Sequence, residues 1–428
     1  MQVVAFSDLE ELAPYAPHWD RLAAGNPFRG WAWASTWWRY YGDRGNGAGQ
    51  LCVLGVRDER GRWVGLAPWY IEPSAIWGHV LKFLGSNEVC SEYLGLLAEA
   101  GEEEAVADAV ADWLHAAREP ADRWDMAELR SVDAEDVATR LLIKALCQRK
   151  LVVDCRPGPS CWRIDLPPTW HDYYSVLSSS RRKRIRQTEN RLINSGRVRV
   201  HVVRAAADLA LAQEVLIDLH QRRRRSLGEP GCFAAIRCQN FHREVMRKLL
   251  VRNRLLLYWL SIDERPVAAE YALLGAKVVY AYQGGIAPES LHLEPGHLSH
   301  LIGIRHAIDE GYRAFDFLRG DEPYKADWRA SPRPTLEYRV AAPRLTGRAR
   351  LALWRAGSRA KRRLKALLRP GSDMPALAAV HVPTQPADRL EPPPPTETAA
   401  VAMPDWVGDG DMPPPVEPCL DQTHAVLH

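Results

Sequence analysis

The sequence predicts a mixed α/β (α+β) protein made of two similar halves, each with one mixed sheet flanked by helices. Two segments, GQLCVLGVRDERGRWVGLAPWYI (49–71) and RLLLYWLSIDERPVAAEYALLG (254–275), have the pattern of a β-hairpin, because two apolar runs enclose a polar turn. A third strand, an amphipathic helix and a closing strand follow each hairpin, at 81–86, 103–119 and 125–132, and at 277–286, 295–311 and 312–320. The repeated order indicates an internal duplication.

Helices are also predicted before each hairpin, at 19–41 and 207–251. In the helix at 295–311, the apolar residues share one face and Gly311 is the expected C-terminal stop. The first of these regions is rich in tryptophan, at positions 31, 33, 37 and 38. Such rings suit core packing, although stacking on sugar rings is an alternative.

Composition indicates a soluble globular protein, with 46% hydrophobic and 25% charged residues. No apolar stretch is long enough for a membrane span, and the N-terminus MQVVAFSDLEELAPY has no pattern of a secretory signal.

The eight cysteines are scattered, without a CxxC pair or a zinc spacing, and we expect reduced thiols and a cytoplasmic location. His297 and His300 lie three residues apart without an acidic ligand motif, so no metal site is predicted.

Charge is distributed unevenly along the chain. Residues 371–428 carry nine acids, one arginine and twelve prolines, and we expect a disordered acidic tail. Residues 344–369 carry ten arginine and lysine residues and no acid, and Leu351, Trp354, Leu364 and Leu368 are spaced like a helix face. This helix would lie on an anionic membrane surface or partner, or pack on the body with its charges in water. The sequence therefore predicts an N-terminal half at 1–158 and a C-terminal half at 159–342. The basic helix follows at 343–370 and the acidic tail at 371–428.

Specific motifs in the second half resemble a known family. The segments are LSSSRRKRIRQTENRLINSG (177–196), LHQRRRRSLGEPGCF (219–233), RPVAAEYAL (265–273), VYAYQGGI (279–286) and FDFLRGDEPYKADW (315–328). With PGHLSHLIGIRHAIDEG they resemble the GNAT-type acetyltransferases of the CelD/BcsL group, associated with bacterial cellulose and exopolysaccharide synthesis. WWRYYG and GLAPWYI resemble the partner half, and together the halves resemble the tandem-GNAT FemABX transferases.

The resemblance implies an N-acyltransferase that uses acetyl-CoA or another acyl-CoA and an amine-bearing sugar or polysaccharide precursor. It also implies a coenzyme site at the start of the helix at 295–311, where backbone N–H groups bind pyrophosphate. The positions expected there are Gln283, Pro295, Gly296, His297 and Leu298. An ordinary Pro-Gly helix start remains the alternative, since the usual glycine pattern is incomplete and Glu294 is unfavourable beside phosphate.

Four ionisable residues follow the closing strand of the second half. Asp321, Glu322, Tyr324 and Lys325 come directly after Gly320, at the end of a strand where ligands of α/β sheets bind. Acyl transfer to an amine needs a base for the amine and an acid for the departing thiolate. We therefore expect Asp321 or Glu322 as base and Tyr324 as acid, with a structural salt-bridge cluster as the alternative.

Substrate contacts are expected from His220, Arg223, Asp316 and Arg319. The arginines of LHQRRRRSLG would also complement a helix C-terminus, and the basic residues of SSSRRKRIRQ would also form a solvated face after a serine cap. The arginine excess is general rather than confined to one face, so DNA binding is not expected. Two other functions stay open: a FemABX-like transferase using aminoacyl-tRNA, and a non-catalytic scaffold of a polysaccharide-synthesis complex.

Overall fold

The computed structural model of the protein describes residues 1–42, 49–116 and 123–368, which form two mixed sheets with helices on their faces. The predicted acidic tail lies outside these residues. The first sheet has eight strands, of which the last along the chain, β15, is described below. The other seven are β1 (Gln2–Phe6), β2 (Gln50–Arg57), β3 (Trp63–Ser74), β4 (Gly78–Phe83), β5 (Leu97–Ala98), β6 (Met126–Asp133) and β7 (Val152–Pro157). The second sheet contains β8 (Cys161–Asp165), β9 (Val198–Val202), β10 (Leu255–Ile262), β11 (Arg265–Leu274), β12 (Val278–Ile286), β13 (Ala314–Arg319) and β14 (Ser331–Arg333).

Helices precede, connect and follow the strands. They are α1 (Leu9–Leu12), α2 (Ala16–Leu22), α3 (Trp31–Trp37), α4 (Glu103–Ala116), α5 (Val137–Gln148), α6 (Trp170–Val176), α7 (Ser179–Thr188), α8 (Ala206–Ser226), α9 (Ile236–Val251), α10 (Pro295–Asp309), α11 (Tyr324–Asp327) and α12 (Leu345–Leu368). Shorter helical turns lie at Ala13–Tyr15, Pro27–Arg29, Trp38–Gly42, Glu189–Ile193, Cys232–Ala234 and Pro288–Leu293.

The two predicted hairpins and the duplicated strand order are confirmed. β2 pairs with β3 and β10 with β11, both antiparallel. Each sheet also contains one parallel pair, β4 with β6 and β12 with β13. The predicted C-terminal stop is present as well, because α10 ends at Asp309 and Gly311 has a φ of +73°.

A last strand returns from the second half to the first sheet. β15 (Thr335–Ala341) lies between β6 and β7 and pairs antiparallel with both. The strand order is therefore β1-β2-β3-β4-β6-β15-β7, with β5 beside β3, while the second sheet runs β14-β8-β13-β12-β11-β10-β9. The end of the second half thus completes the first sheet, because β15 is the strand that links β6 to β7.

Two apolar cores result. The larger one is continuous across the two halves, joining the tryptophan-rich α3 to α8, α9 and one face of the second sheet. Trp33 and Trp37 are fully buried there. The smaller core fills the other face of the second sheet, against α6, α7 and α10. Within the described ranges, no helix is both long and apolar enough to cross a membrane.

Candidate active site

The candidate site lies where the parallel strands β12 and β13 diverge. Their register pairs residues 278–280 with 314–316, after which β12 continues to Ile286 away from β13. The pairing of β12 with β11 also shifts register next to Tyr271, and irregularities of this kind often redirect strands beside active sites. We refer to the region between the unpaired ends of these two strands, next to the N-terminal half of α10, as the opening.

The N-terminus of α10 is accessible from this opening. Leu298 donates its N–H to the carbonyl of Glu294 at 3.1 Å, so the N–H of Gly296 precedes the first helical hydrogen bond. Among the described residues, a Cβ on Gly296 would have only Ile286 Cγ2 within 4 Å, at 3.9 Å. Backbone N–H groups in this position suit an anion, and the helix dipole favours negative charge there.

The basic helix α7 covers the same loop. Arg184 donates two hydrogen bonds to the carboxylate of Glu294, at 2.6 and 3.1 Å, and these bonds hold the pKa of Glu294 below its ordinary value. Arg191 donates to the carbonyl of Leu293 at 3.5 Å. The negative charge that the sequence places beside the helix start is therefore neutralised, and the residues present fit a pyrophosphate.

His297 joins α10 to α7 and to the segment after β13. Its Nδ1 accepts a hydrogen bond from Arg181 at 3.0 Å, and its ring stacks on Trp328 with centroids 5.0 Å apart. Arg181 also pairs with Asp327 at 2.5 Å. Burial lowers the pKa of His297 to about 3, so the imidazole is neutral and fixes the helix start. Of the other expected coenzyme residues, Pro295 and Leu298 are buried.

The charged residues that follow β13 do not all enter the opening. Lys325 is 2% exposed and donates to the carbonyls of Leu318, Arg319 and Gly320 at 2.9–3.2 Å. It also pairs with Glu322 at 2.9 Å. All three ammonium protons are used, so Lys325 holds the end of the strand. Glu322 is exposed, as is Asp321, which accepts a hydrogen bond from the Trp162 indole at 3.0 Å.

Tyr324 does lie at the opening, together with His300 of α10. The two rings stack with centroids 5.1 Å apart, and Phe317 meets both edge-on, at 5.1 Å from His300 and 5.8 Å from Tyr324. Burial, with Lys325 and Arg181, lowers the pKa of His300 to about 4. Burial and the nearby Glu322 and Glu270 raise the pKa of Tyr324. At neutral pH the imidazole is therefore unprotonated and the phenol keeps its proton.

Glu270 on β11 is a buried carboxyl at the same opening, which the sequence did not single out. It is 7% exposed and lies between Tyr258 and Gly284 in the register of the sheet. Its Oε2 stands 3.2 Å from the position of a Cβ on Gly284, and its carboxyl shares a hydrogen bond with Ser299 of α10. Burial raises the pKa of Glu270 to about 8, which suits a general base near neutral pH.

Asp316 and Arg319 face the first half of the chain. Asp316 is buried and accepts hydrogen bonds from the Tyr93 hydroxyl at 2.6 Å and from the Leu318 N–H at 2.7 Å, and burial raises its pKa to about 6. Arg319 pairs with Glu92, also in the first half. Both side chains therefore join the halves.

The other expected substrate residues, His220 and Arg223, and the expected coenzyme residue Gln283 lie on the sheet face opposite α10 or at its margin. His220 is buried on α8, with Gln221 Oε1 at 3.1 Å and Cys232 Sγ at 3.7 Å. A Cβ on Gly285 would stand 2.4 Å from the backbone N of His220, so α8 packs directly on β12. Arg223 is half-buried farther along α8, and Gln283 is half-buried on β12. The structure does not bring these residues together with Tyr324 and Glu270.

Within the described part of the chain, no group of three or more histidine, cysteine, aspartate or glutamate side chains is placed to hold a metal ion.

Comparison with known proteins supports a transferase domain. Residues 179–326 match a family model described as an acetyltransferase (GNAT) domain, and no curated protein matches the sequence. This range contains α7, β9–β13, α10 and the residues that surround the opening. This range, about a third of the chain, is thus similar to a GNAT acetyltransferase domain, and the glycine-containing helix start and the buried Glu270 lie inside it.

The solved structure of FemX supports the fold of most of the described residues. FemX superposes with a TM-score of 0.56 at 9% identity, over 79% of this chain and 97% of FemX. A conserved protein of unknown function from Bacteroides thetaiotaomicron VPI-5482 gives 0.49 at 8% identity, over 79% and 100%. A tandem GNAT protein from the clavulanic acid biosynthesis pathway gives 0.41 at 13%, over 79% and 98%. At 9% identity, the likeness to FemX shows the fold alone.

Proposed function

We propose that the protein is an acyl-CoA-dependent N-acyltransferase whose active site is the opening between β12 and β13. The observation that carries this proposal is that the first five residues of α10 include both the accessible helix start at Gly296 and Ser299, which shares a hydrogen bond with the buried carboxyl of Glu270, all within the range that matches an acetyltransferase domain. The N–H of Gly296 would hold the pyrophosphate, and Arg184 would keep the neighbouring charge of Glu294 neutralised. The coenzyme would supply the acyl group as a thioester.

The residues around the opening supply the proton transfers that the reaction needs. The acceptor amine forms the new N–C bond, the thioester C–S bond breaks, and the amine loses a proton that Glu270 accepts. Tyr324, which keeps its proton at neutral pH, donates to the departing sulfur. His300 is neutral and stacks on Tyr324, so it positions the phenol rather than adding a positive charge.

The acceptor we propose is an amine-bearing sugar or polysaccharide precursor used in exopolysaccharide or cell-envelope synthesis. This part of the proposal is supported by the resemblance to the CelD/BcsL group, and by no contact within the described residues. The test is incubation of the full chain with acetyl-CoA and a panel of amino sugars, amino acids and polyamines, with mass spectrometry of the products. Acetylation of an amino sugar is the expected result, and acetylation confined to another amine class contradicts the acceptor assignment.

Aminoacyl-tRNA, the donor implied by the resemblance to the FemABX transferases, is the second candidate. FemX shares the architecture, and α7, which packs beside the start of α10, exposes Lys183 and Arg186. Aminoacyl-tRNA would bring many phosphates to these basic residues, and its binding would fall steeply with salt. Saturable tRNA binding with no effect of acyl-CoA on the melting temperature favours this candidate over the first. Binding of neither donor favours the scaffold alternative.

A further inference from the structure

The basic helix α12 docks on the first sheet through one defined face. Arg350 pairs with Asp125 at 2.7 Å and Arg355 with Asp154 at 2.9 Å. Leu351 is fully buried. Gly78 makes the first pairing possible, because its φ is +73° and a Cβ there would stand 1.9 Å from Arg350 Nη1. The orientation of the helix on the body is therefore fixed by packing and charge.

An aromatic contact reinforces this docked face. The guanidinium groups of Arg156 and Arg339 lie over the Trp354 ring, 3.7 and 4.0 Å from its centroid. Leu351 and Trp354, which the sequence pattern places on one apolar face, are thus both used in contacts with the body. That face is not available to another partner.

A second apolar face of α12 points outward. We call it the outer stripe, and its members are exposed: Leu345, Ala349, Ala352, Leu353, Ala356 and Ala360. Leu345 is 85% exposed and Leu353 is 62% exposed. Spacings of three and four residues place these side chains on one side of the helix, about opposite the docked Trp354.

Basic residues border the outer stripe. Arg348 and Arg359 are exposed beside it, and the helix continues to Leu368 through a sequence with four more basic residues and no acid. A second copy of this surface would bring like charges together, and leucines add nothing to a contact with nucleic-acid phosphates. An apolar stripe with basic margins matches the boundary of an anionic bilayer, where leucines enter the acyl region and arginines meet lipid phosphates.

From this arrangement we infer that α12 binds the protein peripherally to anionic membranes through the outer stripe. The docked face holds the first sheet at a fixed orientation to the bilayer. This inference does not depend on the proposed acyltransferase activity, since it concerns a different surface.

The test is flotation of the full chain with phosphatidylcholine vesicles that contain or lack phosphatidylglycerol. We expect binding only to the phosphatidylglycerol vesicles, and a decrease as salt is raised from about 50 to about 500 mM. The double variant Leu345→Glu/Leu353→Glu should reduce the bound fraction at least about tenfold, because each buried leucine contributes strongly to partitioning. Both side chains are exposed, so an unchanged melting temperature serves as the check on folding.

Val251→Glu is the matched control, since Val251 is 77% exposed at the end of α9 and the change is chemically similar. It should leave vesicle binding unchanged. Equal binding by wild type and the double leucine variant overturns the inference. It is also overturned if the double variant instead abolishes a concentration-dependent dimer, or if the helix binds tRNA but not phosphatidylglycerol vesicles.

Discussion

Replacing Glu270 with glutamine tests the proposed base while preserving the shape of the side chain. Glutamine can keep a hydrogen bond to Ser299 but cannot accept a proton at neutral pH. A positioned general base contributes about 10²–10⁴ in rate, so kcat should fall by that factor. The assay is release of free coenzyme A thiol from acetyl-CoA in the presence of the acceptor identified by the amine panel.

The pH dependence gives this prediction a second, independent readout. With the pKa of Glu270 raised to about 8, about one tenth of the carboxyl is ionised at pH 7 and about nine tenths at pH 9. Wild-type kcat should therefore rise roughly tenfold between these pH values, and the Glu270→Gln variant should lack that rise. A variant with the wild-type rate and the wild-type profile refutes the assignment.

Stability separates loss of the base from loss of the fold. A carboxyl whose pKa is raised in the folded state binds a proton more tightly there than in the unfolded chain, so stability falls as pH rises from 4.5 to about 8. Glutamine removes this penalty. Glu270→Gln should therefore be more stable than wild type at pH 8, on the order of 2–5 kcal/mol by urea unfolding.

Glu322→Gln and Asp321→Asn are the matched carboxamide controls. Both carboxylates are exposed, and we expect activity within about twofold of wild type because surface ion pairs contribute little. The sequence pattern alone predicts the opposite, a large loss at one of these two positions. If either control loses activity while Glu270→Gln keeps it, the base lies in the segment after β13.

Three further predictions follow from the same contacts. Lys325→Met should lower the free energy of unfolding by about 2–4 kcal/mol in urea titrations, because the carbonyls that Lys325 bonds would stay buried without a donor; an unchanged midpoint contradicts this. Arg184→Ala should raise the KM for acyl-CoA several-fold with little effect on kcat, since the carboxylate of Glu294 would lose its partner and repel the pyrophosphate by about 1 kcal/mol, and a change in kcat alone contradicts that role. His242, His297 and His300 have pKa values lowered to about 3–4 by burial, so below pH 6.5 the unfolded chain binds more protons. Each histidine should then lower stability by about 1.4 kcal/mol for each pH unit below 6.5, while Glu270 and Asp316, whose pKa values are raised, contribute in the opposite direction over part of the same range. Replacing His242 with glutamine should therefore reduce the loss of stability at low pH by about that amount per pH unit in urea unfolding, and an unchanged slope refutes its burial as a neutral ring.

Local patterns were sufficient to predict most of the fold. The hairpins, the helix at 295–311 and its stop at Gly311 depend on alternation, helical spacing and glycine at positive φ, all of which are encoded within short segments. β15 was not predicted, because its place between β6 and β7 depends on pairing with residues almost two hundred positions earlier. Sequence periodicity carries no information about such partners.

The roles of the candidate site residues remain predictions. A dense run of charges after a strand does not indicate where each side chain points, and the structure separates Lys325 from Gly296 and Tyr324 in this respect. Lys325 has its ammonium on three carbonyls, whereas Glu270 is a single carboxyl in the apolar run RPVAAEYALL. A single acid in a strand predicted to be buried indicates a functional residue. Burying an unpaired carboxyl costs free energy, so such a residue is seldom present without a function.

Calorimetric titration of acetyl-CoA into the full chain and into Gly296→Val tests the central claim most directly. A valine side chain would enter the open space in front of the first N–H groups of α10 without contacting the core, since only Ile286 Cγ2 lies within 4 Å of the new Cβ. We predict saturable binding at one site per chain for wild type, and affinity weakened at least about tenfold for Gly296→Val at an unchanged melting temperature. Equal binding by the two proteins, or no binding of acetyl-CoA by wild type, would contradict a coenzyme site at α10.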